Sequence, residues 1–232
     1  MKATETEEKM QSKSLVWSVI LLHMLNHVIS GAMPMLYPDI MDEFSLSYSQ
    51  LGLIRSVATF ARGFPQLFVG FLRRWFSGRV LIGVGNLFNS VMNIAAALSS
   101  GFLQFFGFTV LGGVGSSTQH PAGASIISAA TEDSKRGRML GLNQAVPSLA
   151  FSFTPLIAAY LLTRMSWRST LSILSIPALL LSIVLILFIK GTSSVEATTK
   201  DALNWTVSES PSRTGTFSPS ACYAASWRSE WA

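Results

Sequence analysis

The residues able to do chemistry in this chain are three histidines, an arginine inside an apolar stretch and a row of asparagines. His23 and His27 are four apart with Asn26 beside them; Asn86, Asn89 and Asn93 follow at i, i+3 and i+7; Arg55 and Arg62 are seven apart. At helical spacing each set falls on one side of its helix. Imidazole donates, accepts and titrates near neutral pH. A guanidinium holds carboxylate or phosphate oxygens in pairs. A further cluster, Gly112-Gly113-Val114-Gly115-Ser116-Ser117-Thr118-Gln119-His120-Pro121-Ala122-Gly123, is small and polar inside a run that is otherwise apolar from Gly101 to Ser128. Ser116 or Ser117 with His120 suggests a serine hydrolase only weakly. On one helix they pack more naturally than they react, and no third group orients the base.

The elements that must position these groups are membrane helices. The chain is 49% hydrophobic and 12% charged, with its charges clustered between long apolar runs. A hydrocarbon core of ~30 Å takes about 20 helical residues. Six segments meet that length: Leu15–Tyr37, Ser49–Leu72, Val80–Leu98, Gly101–Ser128, Met139–Leu162 and Ser169–Ile189. Placing the N-terminus inside puts Lys2, Lys9, Lys13, Arg73, Arg74, Arg79, Lys135, Arg136, Arg138 and Lys190 on the cytoplasmic side, with only Arg164 and Arg168 outside. That bias sets the orientation, with both ends cytoplasmic. The net charge of +5 reads as topology, because no basic stripe with interleaved aromatics points to nucleic acid. Cys222 is the only cysteine, which excludes an internal disulfide and a cysteine-based zinc site. Residues 1–14 carry Glu5, Glu7 and Glu8 and do not form a secretory signal.

At ~1.5 Å per residue, His27, Arg62 and Asn89 fall near mid-membrane, with His23 and His120 nearer the cytoplasm. Inward polar stripes at one depth predict a hydrated central cavity. The plainer alternative is that Asn, Ser and His bond helices to one another with no ligand involved. Arg62 resists that alternative, since a central arginine costs at least ~2.5 kcal/mol and no Asp or Glu lies within the six segments. Arg55 lies nearer the outer surface, where it can snorkel.

The run His23-Met-Leu-Asn26-His27-Val-Ile-Ser-Gly31-Ala-Met-Pro34-Met-Leu-Tyr-Pro38, followed by Glu43-Phe44-Ser-Leu-Ser-Tyr-Ser-Gln50-Leu-Gly52, resembles the opening of major facilitator superfamily transporters. Within that superfamily it is most similar to the fosmidomycin-resistance efflux group. Gly115-Ser-Ser-Thr-Gln-His120-Pro121-Ala-Gly123 is similar to the fourth-helix signature of that group, and Trp167-Arg168 also fits. The likeness covers roughly residues 15–190. It implies inverted three-helix repeats, in which the first and fourth helices are equivalents; both here carry His, Pro and Gly. Two motifs depart from the superfamily pattern. The loop usually reading Gly-x-Leu-x-Asp-Arg-x-Gly-Arg is Gly70-Phe-Leu72-Arg73-Arg74-Trp75-Phe-Ser-Gly78-Arg79, with Arg74 in place of the acid used for gating. The fifth-helix antiporter pattern survives only as small residues around Thr154-Pro155 and Ala158-Ala159, with Pro155 expected to kink the helix.

The expectation is an all-α membrane protein of six transmembrane helices, arranged as two inverted repeats and forming half of a twelve-helix fold. Residues 1–14 form a cytoplasmic segment, 15–190 the bundle and 191–232 a disordered cytoplasmic tail in which the pattern is lost, as from a frameshifted or split gene. Expected function is secondary transport in the cell membrane: efflux of a small polar or anionic compound by alternating access. The expected substrate-facing residues are His23, Asn26, His27, Arg62, Asn89, Gln119 and His120; those of the gating loop are Gly70, Arg74, Gly78 and Arg79. No catalysis, cofactor, metal or nucleic acid is expected. The partners are the lipid bilayer, a small-molecule substrate, and a second transporter half or a second copy of the chain. The alternative is a membrane fragment without transport activity.

Overall fold

The computed structural model describes residues 2–189, and the expected tail lies outside them. Eight helices follow in order: α1 (Lys2–Glu43), α2 (Tyr48–Gly63), α3 (Gln66–Leu72), α4 (Gly78–Ala97), α5 (Phe102–Ser116), α6 (Gln119–Ala130), α7 (Asp133–Leu162) and α8 (Trp167–Leu187). There is no strand among the described residues. Four of the helices, over Met10–Glu43, Gly78–Ala97, Asp133–Leu162 and Trp167–Leu187, are long and apolar enough to cross a membrane.

The other two expected segments are each split into a pair, and proline explains both splits. Pro65 has no N–H to give Ala61, and Pro121 none to give Ser117, so one i→i−4 bond is lost at each place. The backbone nevertheless stays right-handed across both junctions, at Phe64-Pro65 and at Ser117-Thr118. Proline does not stop α1, which runs through Pro34 and Pro38 to Glu43, past its expected end at Tyr37. Tertiary packing overrides local preference there, because Leu36 and Ile40 are fully buried in an outer apolar cluster with Phe105, Trp167 and Leu171. Likewise α7 passes through Pro147 and the expected kink residue Pro155 as one helix.

α1 lies against α7 and α8, α4 lies between α5 and α8, and α2 packs on α5. Two apolar clusters result. The inner one holds Leu15, Val19, Ile20 and Leu22 of α1 with Ile82, Ile126 and Leu185; the outer one holds Ile29, Leu36, Ile54 and Phe105. The polar residues His23, Asn86, Asn89, Ser90 and Gln119 are buried between them, where α1 passes from one cluster to the other.

Small residues let the helices around this polar layer touch backbone to backbone. A Cβ on Gly113 would sit 2.8 Å from the Ala58 carbonyl oxygen, and one on Gly31 2.8 Å from that of Phe151. Such contacts substitute for a hydrophobic drive that lipid does not supply. At the end of the bundle that holds Phe105 and Trp167 the helices are clasped by charge. Arg168 Nη2 meets Glu43 Oε1 at 2.5 Å, Trp167 Nε1 donates to Glu43 Oε2 at 2.6 Å, and Arg168 Nη1 donates to the Ala97 carbonyl at 2.6 Å. The end of α1, the last turn of α4 and the start of α8 are thereby joined. Arg168 also supplies a donor to a helix C-terminus, which has unpaired carbonyls and a partial negative charge.

Candidate functional site

A cleft of about 250 Å³ opens in the polar layer, and all seven residues expected to face substrate line it: His23, Asn26, His27, Arg62, Asn89, Gln119 and His120. They come from α1, α2, α4 and α6. The pattern of their hydrogen bonds divides them into two groups.

Asn26, Asn89 and Gln119 spend their polar atoms on other protein groups. Asn26 Nδ2 donates to Asn86 Oδ1 across a short contact, and Asn89 Nδ2 donates to Asn26 Oδ1 at 2.7 Å. Asn86 Nδ2 reaches Gln119 Oε1 at 2.9 Å and the Ile82 carbonyl at 2.8 Å, while Gln119 Nε2 donates to the Val19 carbonyl at 3.1 Å. The chain of amides ties α1, α4 and α6 together. Each such bond in a membrane protein contributes about 0.6 kcal/mol. These side chains form the cleft floor as a satisfied framework.

Arg62 and the histidines form the second group. Arg62 Nε donates to Ser116 Oγ at 3.1 Å and its Nη1 to Ser30 Oγ at 3.4 Å. Neither partner is charged, and among the described residues no carboxylate pairs with it. The guanidinium has five N–H donors, so these two bonds leave most of its capacity for a ligand. Ser30 is also the residue whose helical carbonyl partner Pro34 cannot be, a second local loss of pairing at the cleft wall.

His23, His27 and His120 meet at one point. His23 stacks edge-on against His27 with centroids 4.9 Å apart and against His120 at 4.8 Å. His23 is 1% exposed, and its Nδ1 faces Asn143 Oδ1 at 3.3 Å, while its Nε2 and His27 Nδ1 have no hydrogen-bond partner. Buried polar atoms without partners are rare enough to need an explanation.

Sequence spacing missed Asn143, which stands beside Gln144 in the apolar Met139–Leu162 run; only the fold shows that Asn143 is the buried one of the two. It also missed Ser30 and Phe151 on the cleft wall, and it named Ser116 only as a weak nucleophile candidate, not as a partner of Arg62. Arg55, expected to snorkel, lines the cleft too, with Nη1 3.4 Å from Tyr37 Oη and its guanidinium over the Tyr37 ring. The expected gating-loop residues lie apart from the cleft. A Cβ added to Gly70 would meet nothing within 4 Å, and Arg74 lies over the Phe71 ring. Gly78 starts α4 under the Arg73 side chain, and Arg79 donates to the Ile186 and Ile189 carbonyls at the end of α8. Arg79 is thus a helix-end cap linking α4 to α8.

Comparison with known proteins gives one consistent answer. The family model described as Major Facilitator Superfamily matches residues 17–228, reaching beyond the limit near residue 190 of the motif likeness. The chain is similar to the probable L-galactonate transporter of Escherichia coli K12, 25% identical over 174 residues, or 75% of this chain and 38% of that protein. It is similar to the fosmidomycin resistance protein of the same organism, 26% identical over 160 residues, 69% of this chain and 39% of that one. The chain therefore spans well under half the length of these relatives. In fold it is similar to a bacterial homolog of the human lysosomal transporter Spinster, solved inward-facing and unoccupied, with a TM-score of 0.58 at 16% identity over 80% of this chain and 47% of that one.

Proposed function

Since the chain belongs to the Major Facilitator Superfamily, we propose that it forms one wall of a secondary transporter that exports a small organic anion by alternating access. The observation that carries this reading is Arg62: a cation on the wall of a polar cleft, held by two serine hydroxyls and by no carboxylate among the described residues. A fixed charge of this kind, in an apolar setting, is kept for a mobile partner of opposite sign. Galactonate, in the name of one relative, is a carboxylate, and a guanidinium binds carboxylate and phosphonate oxygens alike.

On this reading α1, α2 with α3, α4, α5 with α6, α7 and α8 make six crossings. α1 and the α5–α6 pair are then equivalents in two inverted repeats, each carrying proline: α1 runs through Pro34 as one helix, and the α5–α6 pair breaks before Pro121. The opposite wall comes from a second six-helix half or a second copy of the chain, seated where Leu53, Phe60, Leu149, Phe153 and Leu156 are exposed. Cells producing the protein are expected to accumulate less of a labelled small phosphonate or carboxylate than cells without it. Equal accumulation, with the protein present in the membrane together with its second half, refutes export.

Orientation follows from the basic residues between the helices, with both ends cytoplasmic. Cys222, the sole thiol, is expected to escape an impermeant maleimide in intact cells and to react after permeabilisation. Labelling of intact cells reverses the topology.

A further inference from the structure

The chain has three histidines in all, and the fold brings every one of them to the same place. One ring nitrogen from each of His23, His27 and His120 lies within 4.8 Å of the others. His23 and His27 stand one turn apart on α1, the i, i+4 arrangement by which a helix offers two imidazoles to one metal ion. His120 reaches the pair from α6, in the first turn after the Pro121-induced break.

We propose that these three histidines bind a divalent transition-metal ion of the zinc type, and that the transported anion completes its coordination while Arg62 holds the anion's remaining oxygens. This deepens the transport reading above and rests on it for the anion, though not for the metal.

The donor set selects the metal. Three neutral imidazoles with no oxygen ligand suit zinc, copper or nickel and not magnesium or calcium. At metal–nitrogen bonds of about 2.05 Å a tetrahedral ion needs nitrogens roughly 3.3 Å apart, so the rings must draw together from their present spacing. They have the freedom to do so. His120 is exposed, His27 half-buried, and His23 Nε2 and His27 Nδ1 have no bond to give up. His23 is already aimed: an Nδ1–H directed at Asn143 Oδ1 sets the tautomer with its lone pair on Nε2. A metal-binding histidine is characteristically fixed by such a second hydrogen bond.

Charge then fixes the fourth ligand. Arg62 bonds Ser30, three residues after His27, and Ser116, four residues before His120, so the guanidinium lies about one helical turn from both rings. A dication there, beside an arginine and with no carboxylate in the cluster, is tolerated only with an anion between them. Three protein ligands leave one position open for that anion. The substrate class narrows accordingly to anions with one oxygen for the metal and another for the guanidinium, such as a phosphonate or a hydroxy acid.

The test uses the tag-free full chain in detergent, with Zn²⁺ alone as the first probe and Co²⁺ as a spectroscopic one. Calorimetry is expected to give one Zn²⁺ per chain, and Co²⁺ the intense visible band of a tetrahedral site. His27→Gln and His120→Gln, each checked for an unchanged melting temperature, should weaken Zn²⁺ binding at least tenfold. Asn143→Ala should weaken it roughly 10- to 100-fold, as losses of second hydrogen bonds do. Zn²⁺ affinity that is equal in the wild type and both histidine variants overturns the metal site. In a second arm a small phosphonate is added. It should raise Zn²⁺ affinity in the wild type and not in Arg62→Gln. No effect in the wild type overturns the bridging role while the metal site stands. Phosphonate binding that ignores Arg62 refutes the transport reading and leaves the zinc result untouched.

Discussion

Arg62→Gln is expected to lower affinity for a small phosphonate or carboxylate roughly 10- to 100-fold, in line with ~1.5–3 kcal/mol for hydrogen bonds to a charged group. Arg62→Lys keeps the positive charge and loses the planar fork, so its loss is smaller but still measurable. A neutral compound of similar size should bind each protein alike. The expectation comes from what surrounds the side chain. Its two observed partners, Ser30 and Ser116, are hydroxyls and leave the charge unneutralised. Removing it therefore costs the fold little: Ser116 Oγ still donates to the Gly113 carbonyl at 2.9 Å. A glutamine variant that unfolds, or that binds the anion as the wild type does, makes Arg62 a structural residue.

Helical period alone placed the site residues on faces, because one turn of helix separates His23 from His27 and Asn86 from Asn89. Residue count assigned the faces a similar depth, and residues from these faces line one cleft. What period could not convey was the division between framework and ligand-facing groups. Asn26, Asn89 and Gln119 looked equivalent to the histidines in sequence, yet their amides are consumed by one another. Which amide meets which depends on the rotation of three helices, and that rotation is set by packing between residues far apart in the chain. The meeting of His120 with the α1 pair was hidden for the same reason. Proline was misleading in the other direction. Its lost hydrogen bond marks a weak point in any helix, but whether the helix bends, breaks or runs on is decided by neighbours. α1 runs on because Leu36 and Ile40 are locked in the outer core; the α5–α6 stretch breaks, leaving His120 and Gln119 at the start of a new helix.

Two glycine-to-alanine changes are expected to move stability in opposite directions, and the difference tests the packing that holds the cleft open. Gly137 lies on the exposed start of α7, with nothing within 4 Å of an added Cβ. Alanine there restricts the unfolded chain and should stabilise by ~0.5–1 kcal/mol. Gly115 sits where α5 crosses α4. A Cβ would fall 2.7 Å from the Gly85 carbonyl oxygen and 2.9 Å from the Asn89 amide nitrogen, with Phe88 Cδ1 at 3.0 Å. The first two are backbone atoms of α4 and cannot rotate aside, so the helices must part. Overpacking of this kind costs about 1–3 kcal/mol, and Gly115→Leu should prevent a stable bundle. The site is damaged with the fold, because α4 carries Asn89 and its bond to Asn26. Thermal unfolding in detergent should show Gly137→Ala melting above the wild type and Gly115→Ala below it. Gly115→Ala should also lose phosphonate affinity through a displaced framework, although it touches neither Arg62 nor a histidine. Wild-type melting and wild-type binding in Gly115→Ala would mean that α4 and α5 do not meet at this crossing.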